Sequence, residues 1–264
     1  MRQIFPVPAG GSEIGPDAAD ALARLYAYPE PEAAARPWVR AVMIASADGA
    51  AALDGRSGGL SGAADRLVFS VLRSLADVIL VGAGTARAER YRPVLESQTW
   101  PQLRAGRAPT PPIAVLTRTL DLDPDSGLLA TAPGLARTIV LTTQAAPAAR
   151  RAAAAGHAEV IVAGGDTVTA TAAVAALAGR GYRRILVEGG PGLLGQVTAE
   201  YLLDELCLTY SPVLAGGSAA RIIAGPPAQA RPPAQATPAG LDLAHVLEDE
   251  GYLLCRYLRR EDTA

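Results

Sequence analysis

Glycine-rich turns follow three hydrophobic segments of the chain and form its most informative pattern for binding chemistry. They read GAGT at 82–85, GGD at 164–166 and GGPG at 189–192. Glycine lets the backbone approach a phosphate group, and the N-terminus of a following helix offers free N–H groups to it. Each turn taken alone is more typical of a simple tight turn. Together they favour a dinucleotide site, although the chain lacks both the complete GxGxxG fingerprint and the P-loop motif.

Few polar side chains stand at the ends of the hydrophobic segments, where a ligand would meet them. Ser46 and Asp48 follow the first such segment, and Glu188 ends a later one. A buried Glu188 carboxylate is costly without a partner, so it predicts either a ligand contact or a structural acceptor for backbone N–H groups. Arg66 opens a predicted helix and is either an anion contact or an exposed helix arginine. Glu89 belongs to a charged loop that is compatible with an ordinary solvated cluster.

The hydrophobic pattern predicts the elements that position these residues. Continuous apolar segments are typical of strands covered on both faces, and apolar side chains at helical spacing predict the helices. We expect strands at 39–46, 77–81, 112–116, 138–142, 159–163, 184–188, 205–211, 242–247 and 252–257, and helices at 17–28, 63–75, 145–155, 169–178 and 193–202. This alternation predicts an α/β fold with a mostly parallel central sheet, helices on both faces and an antiparallel C-terminal hairpin.

The chain is expected to hold one main domain, over 36–264, preceded by an N-terminal arm over 1–35. Segments 98–111 and 225–240 are rich in proline and predict loops. No apolar stretch is long enough for a membrane helix, and the N-terminus lacks the apolar core of a signal peptide. These features predict a cytoplasmic protein.

Composition excludes several classes of function. The formal net charge is −2, which argues against a nucleic-acid-binding surface. The chain has two cysteines, Cys207 and Cys255, in apolar segments, and they predict small buried side chains with no disulfide framework. Its two histidines are far apart in the sequence, and we expect no metal site.

The terminal strands predict an assembly. They present an apolar edge, and exposed sheet edges are usually covered, so a homodimer is expected. The residues of this edge are Leu206, Leu208, Tyr210, Leu253 and Leu254.

Six motifs, in this order, resemble the reductase domain of bacterial bifunctional riboflavin-pathway enzymes and its stand-alone relatives. They are RPWV at 36–39, SADG at 46–49, LSG at 60–62 with Arg66, ILVGAGT at 79–85, LVEGGP at 186–191 and LDEL at 203–206. The resemblance runs from about residue 36 to the C-terminus and implies a dihydrofolate reductase-like fold. It also implies an NADPH-dependent reduction of the ribosyl group of a ribosylaminopyrimidine 5′-phosphate to a ribityl chain. The zinc deaminase signature of the bifunctional enzymes is absent from the chain.

The same resemblance implies the residues that bind NADPH. The nicotinamide side is expected at Gly82, Gly84 and Thr85. The pyrophosphate is expected at Gly189, Gly190, Gly192, Leu193 and Leu194, and the 2′-phosphate of the adenosine at Thr117 and Arg118.

The resemblance also implies the substrate side of the site. Arg66 and Arg92 are expected to contact the substrate phosphate, and Glu188 to lie near the pyrimidine. Ser46 and Asp48 are expected to order the pocket, with Ser46 also a candidate substrate-binding residue and Asp48 and Glu188 also candidate catalytic carboxylates. The family has two aspartates after GAGT where this chain has Glu89 and Arg90, so Glu89 is expected to act as the acid or substrate anchor.

Two other functions remain compatible with the residues. One is an NADPH reductase of another heterocycle, such as a dihydropteridine or dihydrofolate, with Asp48 as the anchoring carboxylate; the change to Glu89 favours it. The other is a non-catalytic nucleotide-binding protein with the same fold. The presence of both Arg66 and Glu188 argues against that second alternative.

Overall fold

The computed structural model describes residues 1–8, 13–15, 18–29, 36–123, 125–129, 136–225 and 240–260. The strands are β1 (Arg2–Phe5), β2 (Trp38–Ser46), β3 (Val78–Gly82), β4 (Ile113–Leu116), β5 (Ile139–Thr143), β6 (Glu159–Gly164), β7 (Arg184–Val187), β8 (Glu205–Ser211), β9 (Leu241–Asp249) and β10 (Tyr252–Arg259). The α-helices are α1 (Ala18–Leu25), α2 (Ala63–Leu75), α3 (Ala83–Ala88), α4 (Ala148–His157), α5 (Ala170–Ala178) and α6 (Pro191–Ala199).

All ten of these strands belong to one sheet, in the order β1-β9-β10-β8-β2-β7-β3-β4-β5-β6. The seven strands from β8 to β6 run parallel to their neighbours, while β10, β9 and β1 add antiparallel pairs at one end. The predicted fold class is therefore confirmed, including the C-terminal hairpin of β9 and β10. Among the described residues, no helix has the length and apolar character needed to cross a membrane.

Helices cover both faces of the parallel strands, as continuous apolar strands require. One face packs against α5 and α6, which contribute Leu177 and Leu194 to its core. The opposite face packs against α1 and α2, which contribute Leu22 and Val71. Side chains of β3 alternate between the two cores, so the strand is buried on both sides.

The described part of the predicted N-terminal arm packs onto the sheet. The hydrophobic pattern missed β1, which pairs antiparallel with β9. The N-terminal ammonium group lies 2.8 Å from the Asp249 carboxylate and Arg2 lies 2.7 Å from Glu248. These contacts come from distant parts of the sequence, which is why local pattern did not reveal the strand. The division of the chain at residue 36 stays a prediction.

Two helices differ from expectation. Helix α3 was not predicted; it begins at Ala83 within the GAGT motif, with Gly82 as its N-cap, whereas Glu89, Arg90 and Arg92 follow the helix in a turn and loop, as expected. Helix α6 begins at Pro191, earlier than predicted, since proline fits the first helical position. Most of the predicted loop at 225–240 lies outside the described residues.

The segment 98–111 fixes the C-terminal end of α2. It contains a short 3₁₀ turn, Pro101–Arg104, instead of being irregular throughout. The guanidinium group of Arg104 donates to the carbonyls of Ser74 and Ala76, and that of Arg107 donates to the carbonyls of Ser74, Leu75 and Ala76. Cations placed on the free carbonyls of a helix end stabilise it. This end of α2 is thereby held against β3.

Candidate functional site

The carboxyl ends of β3 and β7 form the crevice where the site lies. The two strands are neighbours, and the chain leaves them in opposite directions: from β3 to β4 on one side, and from β7 through α6 to β8 on the other. Such a reversal is the usual place for a ligand in an open α/β sheet. A cavity of about 740 Å³ opens there, and Thr85, Glu188, Gly190 and Pro191 contribute to its wall.

Two of the three glycine-rich turns pack against each other at this crevice. The amide of Gly82 donates to the carbonyl of Gly189 at 2.9 Å. A methyl group on Gly190 would lie 2.1 Å from the Oγ1 atom of Thr85, so only glycine fits this position. The structure thus brings together the predicted cofactor residues of both turns. The third turn, at 164–166, lies at the end of β6, several strands away.

The N-terminus of α6 points its free amides toward this side of the sheet. Pro191 has no N–H, and helix geometry leaves the amides of Gly192 and Leu193 without intrahelical acceptors. The side chains of Leu193 and Leu194 are buried in the core under α6. Of these two predicted cofactor residues, Leu193 can therefore offer its amide to a ligand, whereas the amide of Leu194 already donates to the carbonyl of Gly190 at 3.0 Å.

The predicted 2′-phosphate residues lie at the end of β4 and do not line the cavity. Thr117 is buried, and its Oγ1 atom accepts a hydrogen bond from the amide of Leu120 at 3.1 Å. Arg118 is exposed, and its carbonyl accepts from the hydroxyl of Thr143. The Arg118 side chain makes no hydrogen bond or ion pair with the described residues and is exposed at the strand end next to the crevice.

Glu188 is the most strongly held side chain of the cavity wall. Its carboxylate accepts from Arg73 through Nε and Nη2, each at 2.7 Å, and from the Tyr91 hydroxyl at 2.7 Å. The Glu188 side chain is 1% exposed. Glu188 was expected to contact either a ligand or backbone N–H groups. The donors observed are instead side chains, one from α2 and one from the segment after α3.

The other predicted polar residues of the wall lie toward the mouth of the cavity. Glu89 accepts a hydrogen bond from the amide of Ser57 at 2.7 Å. Arg66 is exposed, and its Nη1 atom donates to the carbonyl of Ser61 at 3.1 Å. Both residues line the cavity. A carboxylate and a guanidinium group thus face the same space from two different elements.

Ser46 and Asp48 are not among the residues that line the cavity: Ser46 is buried, and Asp48 is exposed. The Asp48 carboxylate accepts from the Ser46 hydroxyl and from the amides of Ala215 and Gly216. These bonds, led by that of Ala215, lower the pKa of Asp48 to about 2. They hold the loop after β8, which continues to Ser218, Ala219 and Ala220 in the cavity wall. The ordering role expected of this pair agrees with the geometry, whereas direct contact with a ligand does not.

The structure does not bring Arg92 into the cavity. Tyr91 lines the cavity, whereas Arg92 is exposed and is not among the lining residues. Arg92 therefore packs elsewhere: a methyl group on Gly127 would lie 3.0 Å from its Cγ atom. The expected second phosphate contact therefore gains no support from the cavity lining and stays a prediction.

Sequence reasoning missed three residues of the site: Phe69, Arg73 and Tyr91. Arg66, Phe69 and Arg73 are spaced by three and four residues, so they share one face of α2. The guanidinium group of Arg73 lies 4.3 Å from the centre of the Phe69 ring. The helical spacing of Arg66 and Arg73 was a usable signal, whereas nothing local marks Tyr91 as the partner of Glu188.

The fold and the crevice define this chain as an α/β protein with a ligand cleft at a switch in strand order, flanked by a helix N-terminus suited to phosphate. The chain belongs to the RibD C-terminal domain family, whose model matches residues 37–250. The predicted resemblance to the reductase domain of riboflavin-pathway enzymes is thereby confirmed.

Two relatives illustrate the family. A protein of Archaeoglobus fulgidus named 2,5-diamino-6-ribosylamino-4(3H)-pyrimidinone 5′-phosphate reductase is 30% identical over 185 residues, which cover 69% of this chain and 83% of that protein. The crystal structure of a pyrimidine reductase-like protein from Corynebacterium diphtheriae has a TM-score of 0.76 at 29% identity and covers 91% of this chain and 99% of the other. At 16% identity and a TM-score of 0.60, the riboflavin biosynthesis reductase Rib7 of Saccharomyces cerevisiae shares the fold, over 91% of this chain and 98% of its own.

Proposed function

We propose that this chain is an NADPH-dependent reductase that converts the ribosyl group of a ribosylaminopyrimidine 5′-phosphate to a ribityl chain in riboflavin biosynthesis. The observation that carries this proposal is the contact between the two glycine turns beside the cavity that Glu188 and Arg66 line. The names of the relatives support the same reaction, since three of them are called reductases of such a pyrimidinone 5′-phosphate.

The residues at the crevice fit a dinucleotide. Gly82, Gly84 and Thr85 would lie on the nicotinamide side, and the turn at 189–192 with the free amides of α6 would hold the pyrophosphate, where the helix dipole favours negative charge. When bound there, reduced nicotinamide supplies a hydride to the ribosyl C1. The exposed guanidinium group of Arg118, next to Thr117, would pair with a 2′-phosphate and so favour NADPH over NADH.

The remaining residues of the cavity take the substrate. Arg66 would bind the 5′-phosphate at the mouth, since arginine pairs well with phosphate oxygens. Glu188 would accept from the heterocycle, and Glu89 would donate the proton that must accompany the hydride. Ser46 and Asp48 would keep the loop after β8 in place. Arg92 has no part in this proposal.

The structure does not support the anchoring residue of the alternative, a dihydropteridine or dihydrofolate reductase. That alternative needs Asp48 as an anchor inside the cavity. The Asp48 carboxylate is instead bonded to the amides of Ala215 and Gly216, at 3.0 and 2.7 Å. The pyrimidine reductase is therefore the function that the geometry favours.

A homodimer and a cytoplasmic location remain part of the proposal. The strands that carry the residues of the expected edge, β8 and β10, lie inside the sheet, between β2 and β9. The support comes instead from one face of the terminal strands, where Leu243 and Leu253 are 38% and 37% exposed and Tyr257 lies directly opposite Leu243. Sedimentation of a single monomeric species at micromolar concentration would contradict the dimer.

The reaction is tested by following the loss of NADPH absorbance. The substrates are the ribosylaminopyrimidine 5′-phosphate, the same compound without its phosphate, and dihydrofolate. We expect turnover with the phosphorylated pyrimidine, weaker turnover without the phosphate and none with dihydrofolate. Turnover with dihydrofolate alone would overturn the proposed substrate while keeping the reductase.

A further inference from the structure

The Glu188 carboxylate has little accepting capacity left for a ligand. An ionised carboxylate offers about four lone-pair positions. Arg73 occupies one on each oxygen, and the Tyr91 hydroxyl occupies a second one on Oε2. One position, on Oε1, has no partner among the described residues, and Glu188 belongs to the cavity wall, so this position is the one left for a ligand.

Arg73 also removes the net charge from this end of the cavity. Its guanidinium group lies side-on to the carboxylate, and the Arg73 side chain is 12% exposed. A carboxylate without such a partner attracts cationic ligands, whereas a paired one does not. The pair therefore presents a neutral surface with one hydrogen-bond acceptor.

The two residues around this pair complete a flat, apolar setting. Phe69 lines the cavity beneath the Arg73 guanidinium group, and Tyr91 lines it from the other side. Burial, and then the Glu188 charge, raise the pKa of Tyr91 well above its usual value. Tyr91 consequently stays protonated and keeps donating to Glu188 at every pH at which the protein would work.

We propose that Arg73 and Tyr91 are positioning residues that hold Glu188 as a charge-compensated single acceptor, and that this arrangement makes the cavity select an uncharged planar heterocycle that donates one N–H and reject a protonated one. This inference rests on the proposed function, because it concerns the heterocycle end of the same substrate site. Arg73 and Tyr91, which lie outside the recognised motifs, would thereby determine whether the cavity prefers a neutral or a cationic ring.

The first test compares Arg73→Gln and Tyr91→Phe with the wild type. Arg36→Gln is a matched control, because Arg36 also donates through two nitrogens to a buried carboxylate, that of Asp204, away from the cavity. We expect the KM for the phosphorylated pyrimidine to rise roughly tenfold or more in Arg73→Gln and a few-fold in Tyr91→Phe. The dissociation constant for NADPH, measured by fluorescence, is expected to stay at the wild-type value in both.

The second test measures binding without turnover. Calorimetry with uncharged 6-aminouracil and with protonated 2,4-diaminopyrimidine reports the preference for charge. The wild type and Arg36→Gln are expected to prefer 6-aminouracil, and Arg73→Gln is expected to prefer the protonated ring. If Arg73→Gln does not fold, Tyr91→Phe still tests the proposal, because it leaves the ion pair in place and should weaken discrimination between the two ligands.

The outcomes separate the two ideas. A wild-type protein that prefers 6-aminouracil but does not turn over the phosphorylated pyrimidine would overturn the proposed function and leave the charge selection standing. An active wild type whose KM and ligand preference are unchanged in both Arg73→Gln and Tyr91→Phe would overturn the positioning role. Equal changes in KM and ligand preference in Arg36→Gln and Arg73→Gln would indicate general destabilisation. This result would also overturn the positioning role.

Discussion

Two buried arginine–carboxylate groups lie at opposite ends of the parallel strands, one at the carboxyl ends and one at the amino ends. Only the first of them borders the cavity. Glu188 follows β7 at the carboxyl edge, where Arg73 and Tyr91 bind it. Glu205 begins β8 at the amino edge and lies between Arg40 and Arg256, 2.8 and 2.7 Å away. The chemistry of the two groups is similar, but their surroundings differ.

The Glu205 cluster is closed on every side. The side chains of Arg40 and Glu205 are 0% exposed. Trp38 donates its indole N–H to Glu205, and Arg40 also donates to the carbonyl of Tyr26. Burial opposes ionisation, but the two arginines outweigh it and lower the pKa of Glu205. No ligand reaches this group, so its function is to tie the segment after α1 to β2 and β10.

The comparison shows that a buried ion pair does not by itself mark a functional site. Structural networks and active sites both perturb charged groups. What distinguishes Glu188 is an unused acceptor position next to open space, in a cleft at a switch in strand order. The Glu205 group is therefore expected to contribute mainly to stability, and the Glu188 group mainly to activity.

The largest effect is expected for Glu205→Gln. Removing this charge leaves Arg40 and Arg256 buried without a counter-charge, which should lower the free energy of unfolding by about 3–5 kcal/mol. Urea denaturation measures the loss, and the KM of the folded enzyme should stay at its wild-type value. Glu248→Gln is the control, since its ion pair with Arg2 is exposed and should matter little. A loss of activity without a loss of stability would reverse the roles assigned to the two groups.

His245 gives the closed cluster a pH dependence. Burial, and then the charge of Arg256, lower the pKa of His245 to about 4. In the unfolded chain the group titrates near 6.5, so between about 6.5 and 4 the unfolded state binds a proton that the folded state does not. Stability should therefore fall as the pH falls through this window, by up to about 3 kcal/mol.

The variant His245→Phe isolates this contribution. Phenylalanine keeps an aromatic ring against Tyr26, whose ring centre lies 4.7 Å away, but it cannot take a proton. The free energy of unfolding is measured from pH 7 to pH 4 for both proteins. The loss on acidification should be smaller in the variant than in the wild type. Parallel curves for the two would show that His245 takes no part.

How far the sequence predicts each region follows from the range of the contacts. The strands and helices near the cleft have continuous apolar runs or helical spacing, and α2 ends at the residues that the pattern indicated. The glycine turns and Glu188 are local motifs and were found. Arg40 and Glu205 carry no such signal: they meet because β2 and β8 are neighbours in the sheet.

 The contact between Arg40 and Glu205 joins residues that are 165 positions apart, and the parallel pairing of β2 with β8 creates it.

Tyr91 and Arg92 show the same limit inside the site. Both follow the GAGT motif, and the resemblance to the reductase family implied a phosphate contact for the arginine. The direction of each side chain depends on how the chain leaves α3, where Arg90 has a positive φ of 54°. After this residue Tyr91 reaches Glu188 and Arg92 packs against Gly127. Residue type alone does not contain that information.

A substitution of Glu188, which borders the cavity, should change activity more than stability. Glu188→Gln keeps the shape of the side chain but weakens its acceptance from Arg73 and from the substrate, so kcat/KM should fall roughly 10- to 100-fold, the range for a hydrogen bond to a charged group. Steady-state kinetics measures it, with NADPH affinity as the internal control. A larger loss of unfolding free energy than in Glu205→Gln would contradict the division between the groups.

The smallest effect is expected for Asp48→Asn, in a third carboxylate that has no arginine partner. Asp48 accepts from the amides of Ala215 and Gly216 and from Ser46, and an asparagine oxygen can keep part of these bonds. The loop after β8 should loosen slightly, which raises the KM for the pyrimidine about two- to fivefold while kcat stays near the wild-type value. A collapse of kcat would instead place Asp48 among the groups that act on the substrate. A position in the cavity wall would then no longer distinguish the functional carboxylates from the structural ones.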